Sequence, residues 1–166
     1  GLSTSALLGF DNFHKLNPAI PCILSTHDNY LRDYTGHGDS KQDYAGKKIV
    51  LLVRDPRDVI VSQFFQWKHR TRPMKKALLS ALQDSDEAGI FDFATHPDHG
   101  IPRNMRFLAG WREGLSQLDE VLLVRYEDLR ADTVAELEKI LRFLGAECSR
   151  ERLQDAVSFA SFERMR

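Results

Sequence analysis

The sequence has few of the residues that would cross-link the chain or anchor it in a membrane. Its 166 residues include two cysteines, Cys22 and Cys148, whose separation matches no disulfide or metal-binding spacing. No apolar run approaches the roughly 20 residues that span a bilayer, and no signal peptide is visible. We therefore expect no membrane segment in this chain. Because unpaired cysteines are compatible with a reducing compartment, we expect a cytoplasmic location.

Charge, glycine and metal-ligand patterns narrow the function classes further. The net charge of −1 gives no argument for a nucleic-acid partner. Between Lys47 and Lys76, nine Lys or Arg residues stand against two Asp, which fits either a small anionic ligand or a solvated basic helix face. The glycine-rich loop with Lys-Ser/Thr that marks P-loop phosphoryl transferases is missing. The stretch His96-Pro97-Asp98-His99 contains a proline and lacks a third ligand, so we predict no metal site.

The apolar patterns predict an α/β fold. Short buried-type strands are predicted at about 22–26, 49–53 and 121–124. Helices are predicted at 56–69, 74–82, 101–118 and 133–144, and after Ser149. Strands separated by helices indicate a parallel sheet flanked by helices, and the length fits a single domain over residues 1–166.

The central strand is followed at once by an arginine and a helix. Ile49–Val53 are all β-branched or Leu, which is typical of a strand that is buried on both faces. Asp55 is placed to cap the following helix, and Pro56 suits its first position. Ligands of open α/β sheets bind at the carboxyl ends of strands, and Arg54 is predicted to lie there. Its planar guanidinium suits phosphate.

The helix after Arg54 has an apolar and a polar side. The 3.6-residue period places Ile60, Phe64 and Trp67 in one apolar stripe, widened by Val61 and Phe65. The polar stripe contains Asp58, Ser62, Gln66 and His69. Ser62 is therefore predicted to face a ligand or water.

Polar groups that could take part in binding or catalysis follow two further predicted strands. His27 follows the first predicted strand and can take a proton near neutral pH, and Tyr126 can stack on a base or donate a hydrogen bond. Together with Arg54 they form one site if they share an edge of the sheet. Three of the candidate residues also have plainer interpretations. His27 would be a structural histidine, Arg54 would form an ion pair with Asp55, and Ser62 would be solvated.

Four motifs, which follow one another along the chain, resemble motifs of the sulfotransferases that use 3′-phosphoadenosine-5′-phosphosulfate (PAPS). The resemblance covers about residues 21–166. The most specific motif is the segment 53–59 with Ser62 eight residues after Arg54, which resembles the 3′-phosphate-binding motif of that family. The others are Thr26-His27, Val124-Arg125-Tyr126-Glu127-Asp128-Leu129 with the helix that ends in Phe143-Leu144-Gly145, and Ser161-Phe162-Glu163-Arg164-Met165.

The resemblance implies a P-loop NTPase-like sulfotransferase fold and a role for each matching residue. Arg54 and Ser62 would hold the 3′-phosphate of PAPS. Tyr126 and Phe162 would contact the adenine, with Ser161 near it, and His27 would deprotonate the acceptor hydroxyl or amine. No metal would be needed, and the acceptor would be a small molecule or a carbohydrate.

The sequence departs from the family pattern at several places. Relatives often carry a lysine where this chain has Ser25, and commonly a threonine where it has Ala160. The family's 5′-phosphosulfate loop has no counterpart in residues 1–20, and its basic, glycine-rich C-terminal segment would follow Arg166. We therefore expect an incomplete fold, an internal fragment of a longer sulfotransferase that is inactive alone. The alternative is a non-catalytic nucleotide-binding or interaction module.

Overall fold

Two parallel strands, β1 (Lys48–Val53) and β2 (Glu120–Arg125), pair over their whole length, and the register places Val53 beside Arg125. The computed structural model describes residues 18, 23, 25–27, 40–71 and 89–160. These strands form the sheet within that part of the chain. Their parallel pairing confirms the predicted α/β class.

Helices follow both strands directly. The described residues contain α1 (Pro56–His69), α2 (Ile90–Thr95), α3 (Ile101–Gly114), α4 (Tyr126–Ala131), α5 (Thr133–Leu144) and α6 (Arg150–Phe159), and short 3₁₀ helices at Gln42–Tyr44 and Leu115–Gln117. None of these helices is long and apolar enough to cross a membrane. The predicted helix at 74–82 lies outside the described residues.

The described residues belong to two compact units, which we describe separately. The first contains residues 18, 23, 25–27, 40–47 and 114–119. In it, Lys41 is 4% exposed, and a Cβ at Gly114 would collide with the Cγ of Lys41, so the glycine makes room for the lysine stem. The second unit contains the sheet and most of the helices. The single domain over 1–166 stays a prediction.

The buried stripe of α1 packs on α2. Ile60, Phe64 and Trp67 are each under a tenth exposed, and together with Phe93 of α2 they form one apolar cluster. The ring centroids of Phe64 and Phe93 lie 5.7 Å apart in an edge-to-face arrangement. Aromatic pairs favour this geometry, so the cluster fixes the rotation of α1 about its axis. The predicted apolar stripe is confirmed.

Three predictions of burial or strand structure are wrong. Val61 and Phe65 do not widen the stripe, because they are 41% and 52% exposed on the neighbouring side of α1. The strands are not covered on both faces, since Leu52 is 54% and Leu123 is 50% exposed. At 23, 25 and 26, the described part of the first strand predicted at 22–26, the backbone is not in a strand. An apolar run becomes a strand only where a neighbouring backbone completes its hydrogen bonds.

Helix boundaries follow local chemistry closely. The predicted helices at 56–69 and 133–144 have these bounds in the structure, and Gly145 adopts the left-handed φ of 79° that ends α5. The N-cap of α5 is Asp132, whose side chain accepts a hydrogen bond from the Ala135 N–H. Helix α2 lies in a stretch for which no helix was predicted, and α3 ends four residues before the predicted 118.

Candidate functional site

The candidate site lies where β1 and β2 end side by side. Since the two strands are parallel and their last pair is Val53 with Arg125, the next residues, Arg54 and Tyr126, come together. The guanidinium carbon of Arg54 lies 4.3 Å from the centre of the Tyr126 ring. This is a cation–π contact, which restricts the orientation of the guanidinium.

The donors of Arg54 are largely unused. Its Nε is buried and has no hydrogen-bond partner among the described residues. One terminal nitrogen, Nη2, makes a long contact of 3.4 Å with the Asp58 carboxylate one helical turn later. A buried N–H without an acceptor is costly, so this guanidinium is suited to receive an anion.

The neighbouring arginine is already neutralised. The guanidinium of Arg57 contacts both carboxylate oxygens of Asp55, with Nη2 to Oδ2 at 2.6 Å and Nε to Oδ1 at 3.1 Å. The Arg57 backbone N–H also donates to Asp55 Oδ1 at 2.8 Å, which caps α1. The side-chain hydrogen bond from Arg57, followed by the backbone one, lowers the pKa of Asp55 to about 2. Asp55 therefore pairs with Arg57 and leaves Arg54 available, which decides against the simple Arg54–Asp55 ion pair.

A glutamate joins the two strand ends. Glu127 Oε1 accepts a hydrogen bond of 3.2 Å from the backbone N–H of Asp55, and Oε2 lies 3.7 Å from Arg125 Nε. The hydrogen bond from its own backbone N–H, together with the one from Asp55, lowers the pKa of Glu127. Our sequence reasoning assigned neither Glu127 nor Asp58 a role in the site. The signal for Asp58 is its i,i+4 spacing from Arg54. The signal for Glu127 is that it follows the end of β2 by the same number of residues as Asp55 follows the end of β1.

Ser62 lies two helical turns beyond Arg54 on the exposed polar face of α1, as predicted. It lines an open cleft of about 400 Å³ together with Phe65, Gln66, His69 and Arg70. The rings of Phe65 and His69 stack in this cleft with centroids 6.0 Å apart. The hydroxyl of Ser62 is thus accessible to a ligand that approaches this side of α1.

The other predicted site residues stay predictions. His27 is exposed and belongs to the first unit, so its role stays a prediction. Ser161 and Phe162 lie outside the described residues. Within the described ranges, no group of three or more His, Cys, Asp or Glu side chains could hold a metal ion.

A strand, an arginine and a capped helix at the carboxyl end of a parallel sheet define an α/β protein with a cationic group at the place where such folds bind ligands. The comparison with known families makes the class specific. The family model described as "Sulfotransferase domain" matches residues 45–166. The chain therefore belongs to the sulfotransferase domain family.

Individual relatives agree with this family. The chain is 29% identical over 160 residues to Sulfotransferase 2A6 of Rattus norvegicus, which covers 96% of this chain and 50% of the rat protein. It is 27% identical over 149 residues to Cytosolic sulfotransferase 3 of Arabidopsis thaliana, which covers 87% of this chain and 43% of that protein. The chain thus spans about half the length of the curated relatives it matches.

A solved structure shows the same fold. It is a retinol dehydratase in complex with androsterone and the inactive cofactor PAP, with 22% identity and a TM-score of 0.50 over 71% of this chain and 32% of that one. Together with the family match, this likeness identifies the predicted parallel sheet flanked by helices as the sulfotransferase fold.

Proposed function

We propose that this chain supplies the 3′-phosphate site of an enzyme that transfers a sulfuryl group from PAPS to a hydroxyl or amine acceptor. The observation that carries the proposal is the guanidinium of Arg54, held over Tyr126 at paired strand ends with a buried, unused Nε–H. The Nε–H is closed to solvent, but the Arg54 side chain is 33% exposed, so a phosphate oxygen would be an acceptor for its accessible N–H groups. Family membership supplies the nucleotide whose phosphate would fit.

The residues present fit such a nucleotide. Arg54 would donate charge-assisted hydrogen bonds to the 3′-phosphate, and Ser62 would add its hydroxyl from the same side of α1. Asp58 would have to yield its contact with Arg54, which is long and exposed and therefore weak. Arg54 occupies one face of Tyr126, so the adenine would contact the opposite face or the edge of the ring.

His27 is proposed as the base. When bound, PAPS supplies an activated sulfuryl group whose bond to the phosphate oxygen breaks as the acceptor attacks. His27 would accept the proton of the acceptor hydroxyl or amine, which a neutral imidazole can do near pH 7. Ser161 and Phe162 are proposed to contact the adenine, as the motif resemblance implies. No step requires a metal.

The acceptor is proposed to be a small molecule or a carbohydrate. The solved relative contains the steroid androsterone, which supports an apolar alcohol. A cytoplasmic location is proposed because the Arabidopsis relative is named as cytosolic.

The test compares two neighbouring arginines. Binding of adenosine 3′,5′-bisphosphate is measured by calorimetry for the intact protein, Arg54→Ala and Arg57→Ala. Two lost charge-assisted hydrogen bonds correspond to about 100-fold weaker binding for Arg54→Ala. Arg57→Ala should bind within about threefold of the wild type, because Arg57 is engaged by Asp55 and the backbone N–H that caps α1 remains.

Equal losses in the two variants would contradict the site. Transfer is then measured with radiolabelled PAPS and a panel of phenols, steroids, alcohols, amines and sugars. A labelled product supports the enzyme. Tight nucleotide binding without transfer to any acceptor supports the non-catalytic module instead.

A further inference from the structure

The pairing of β1 and β2 continues beyond the strands through a side chain. The backbone ladder ends at Val53 and Arg125. Two residues further on, Glu127 supplies a carboxylate oxygen to the Asp55 N–H at 3.2 Å. Arg54 and Tyr126 therefore lie between two cross-links, one made by the backbone ladder and one made by Glu127.

The Glu127 cross-link acts on the residue that starts α1. Asp55 is the N-cap of α1, and its φ and ψ of −48° and 123° turn the chain from strand into helix. The side chain of Asp55 is paired with Arg57. Its backbone N–H donates to Glu127. Fixing this peptide also fixes the position of the Arg54 Cα, because the two residues share the peptide bond.

Other contacts of Arg54 would hold it less firmly. The ion pair with Asp58 spans 3.4 Å, and the Asp58 side chain is 58% exposed. Exposed i,i+4 pairs contribute little. The stacking on Tyr126 restrains the guanidinium only while the two strand ends keep their spacing. The hydrogen bond from the Asp55 N–H to Glu127 joins these two ends directly.

We infer that Glu127 is a positioning residue that holds Arg54 over Tyr126 and thereby sets the affinity of the site for a 3′-phosphate. The inference rests on the proposed function. Glu127 does not touch the nucleotide in this arrangement; it acts through the peptide of Asp55. Its effect should therefore be confined to ligands that carry the 3′-phosphate.

The experiment measures a ratio of two affinities. The Kd of adenosine 5′-phosphate is divided by the Kd of adenosine 3′,5′-bisphosphate for the intact protein and for Glu127→Ala, Glu127→Asp and Glu127→Gln. Glu127→Gln keeps an acceptor oxygen at the same reach, so the ratio should stay within about threefold. Glu127→Ala removes the acceptor and Glu127→Asp retracts it by one methylene, so each should lower the ratio about tenfold.

Asp128→Ala is the matched control. Asp128 is an exposed acid on the same turn of α4, so this variant loses the same charge while the cross-link remains. Its ratio should match that of the wild type. A ratio lowered equally in Asp128→Ala and Glu127→Ala would show an effect of net charge and overturn the inference.

The remaining outcomes separate the inference from the function on which it rests. A wild-type protein that binds both nucleotides equally contradicts the proposed 3′-phosphate site itself. A wild-type protein that prefers the bisphosphate, together with an unchanged ratio in Glu127→Ala, overturns the positioning role alone. If Glu127→Ala does not fold, the ratio of Glu127→Asp decides by the same criterion.

Discussion

The Arg54 guanidinium stacks at 4.3 Å on the ring of Tyr126, although the two residues are far apart in sequence. The contact follows from the parallel register. The strands end at the pair Val53 and Arg125, so the residues that follow them, Arg54 and Tyr126, lie side by side. A cation over an aromatic face is held by the ring quadrupole as well as by packing. The site thus has an arginine whose orientation is set before any ligand arrives.

We predict that Tyr126→Leu weakens binding of adenosine 3′,5′-bisphosphate about two- to fivefold. A cation–π contact of this kind is worth about 0.5–1 kcal/mol at a partly exposed position, and leucine has no ring to provide it. Tyr126→Phe keeps the ring and should bind within about twofold. Calorimetric titration of the three proteins measures the difference. Equal affinities for the leucine and phenylalanine variants would contradict a role for the ring.

A second prediction concerns the polar face of α1. Ser62→Ala should weaken binding of the same nucleotide about tenfold, because a hydroxyl donor to a charged phosphate is lost. The adjacent exposed residue provides the control: Gln63→Ala should leave the Kd within about twofold. A Kd for Ser62→Ala as close to wild type as that of Gln63→Ala would remove Ser62 from the site.

Local patterns explain why the placement of Arg54 and Ser62 was predictable. Asp55 and Pro56 specify where α1 begins, and the 3.6-residue period then assigns Ser62 to the face opposite the buried stripe. Tyr126 was predicted at a strand end from the apolar run that precedes it. Its contact with Arg54 also needed the strand order and register, which no local pattern contains.

The features that sequence reasoning missed depend on tertiary contacts. Glu127 reaches the Asp55 N–H across two strand ends, and Phe93 of α2 is buried because the aromatic stripe of α1 receives it. The exposure of Leu52 and Leu123 has the same origin, since hydrophobicity alone does not determine which neighbour covers a strand. The ligand of the site remains a proposal that the family supplies.

The third prediction tests the stripe of α1 with two adjacent aliphatic residues. Ile60→Ala should lower the free energy of unfolding by about 2–4 kcal/mol, because Ile60 is 2% exposed in the cluster with Phe64 and Phe93. Val61→Ala should cost less than about 1 kcal/mol, because Val61 is 41% exposed. Urea denaturation of both variants gives the two values. Similar losses would mean that the rotation of α1 is wrong.

The fourth prediction is a pH dependence that originates at Asp55. Its pKa is lowered to about 2 by hydrogen bonds from Arg57, below its ordinary value of 3.8. A depressed folded-state pKa stabilises the protein above the unfolded value, and this stabilisation is lost as the pH falls from about 4 towards 2. Asp55→Asn keeps the helix cap but does not titrate. The denaturation midpoint of the wild type should therefore exceed that of Asp55→Asn at pH 7, and the difference should shrink towards pH 2. A difference that stays constant with pH would contradict this assignment.

The fifth prediction separates chemistry from binding at His27. If His27 is the base, His27→Ala should lower kcat about 10²–10⁴-fold, since a positioned general base contributes that much. Its Kd for adenosine 3′,5′-bisphosphate should stay within about twofold, because Arg54, Ser62 and Tyr126 remain. Transfer from radiolabelled PAPS in the intact protein measures the first quantity, and calorimetry measures the second.

Chemical rescue distinguishes a lost base from a damaged fold at His27. Added imidazole should restore part of the turnover of His27→Ala, and the restored rate should rise with the fraction of neutral imidazole as the pH passes its pKa. A structural histidine would lower nucleotide affinity and thermal stability together and would not respond to imidazole. A variant with the wild-type rate would show that another group takes the acceptor proton, while leaving the 3′-phosphate site at Arg54 untouched.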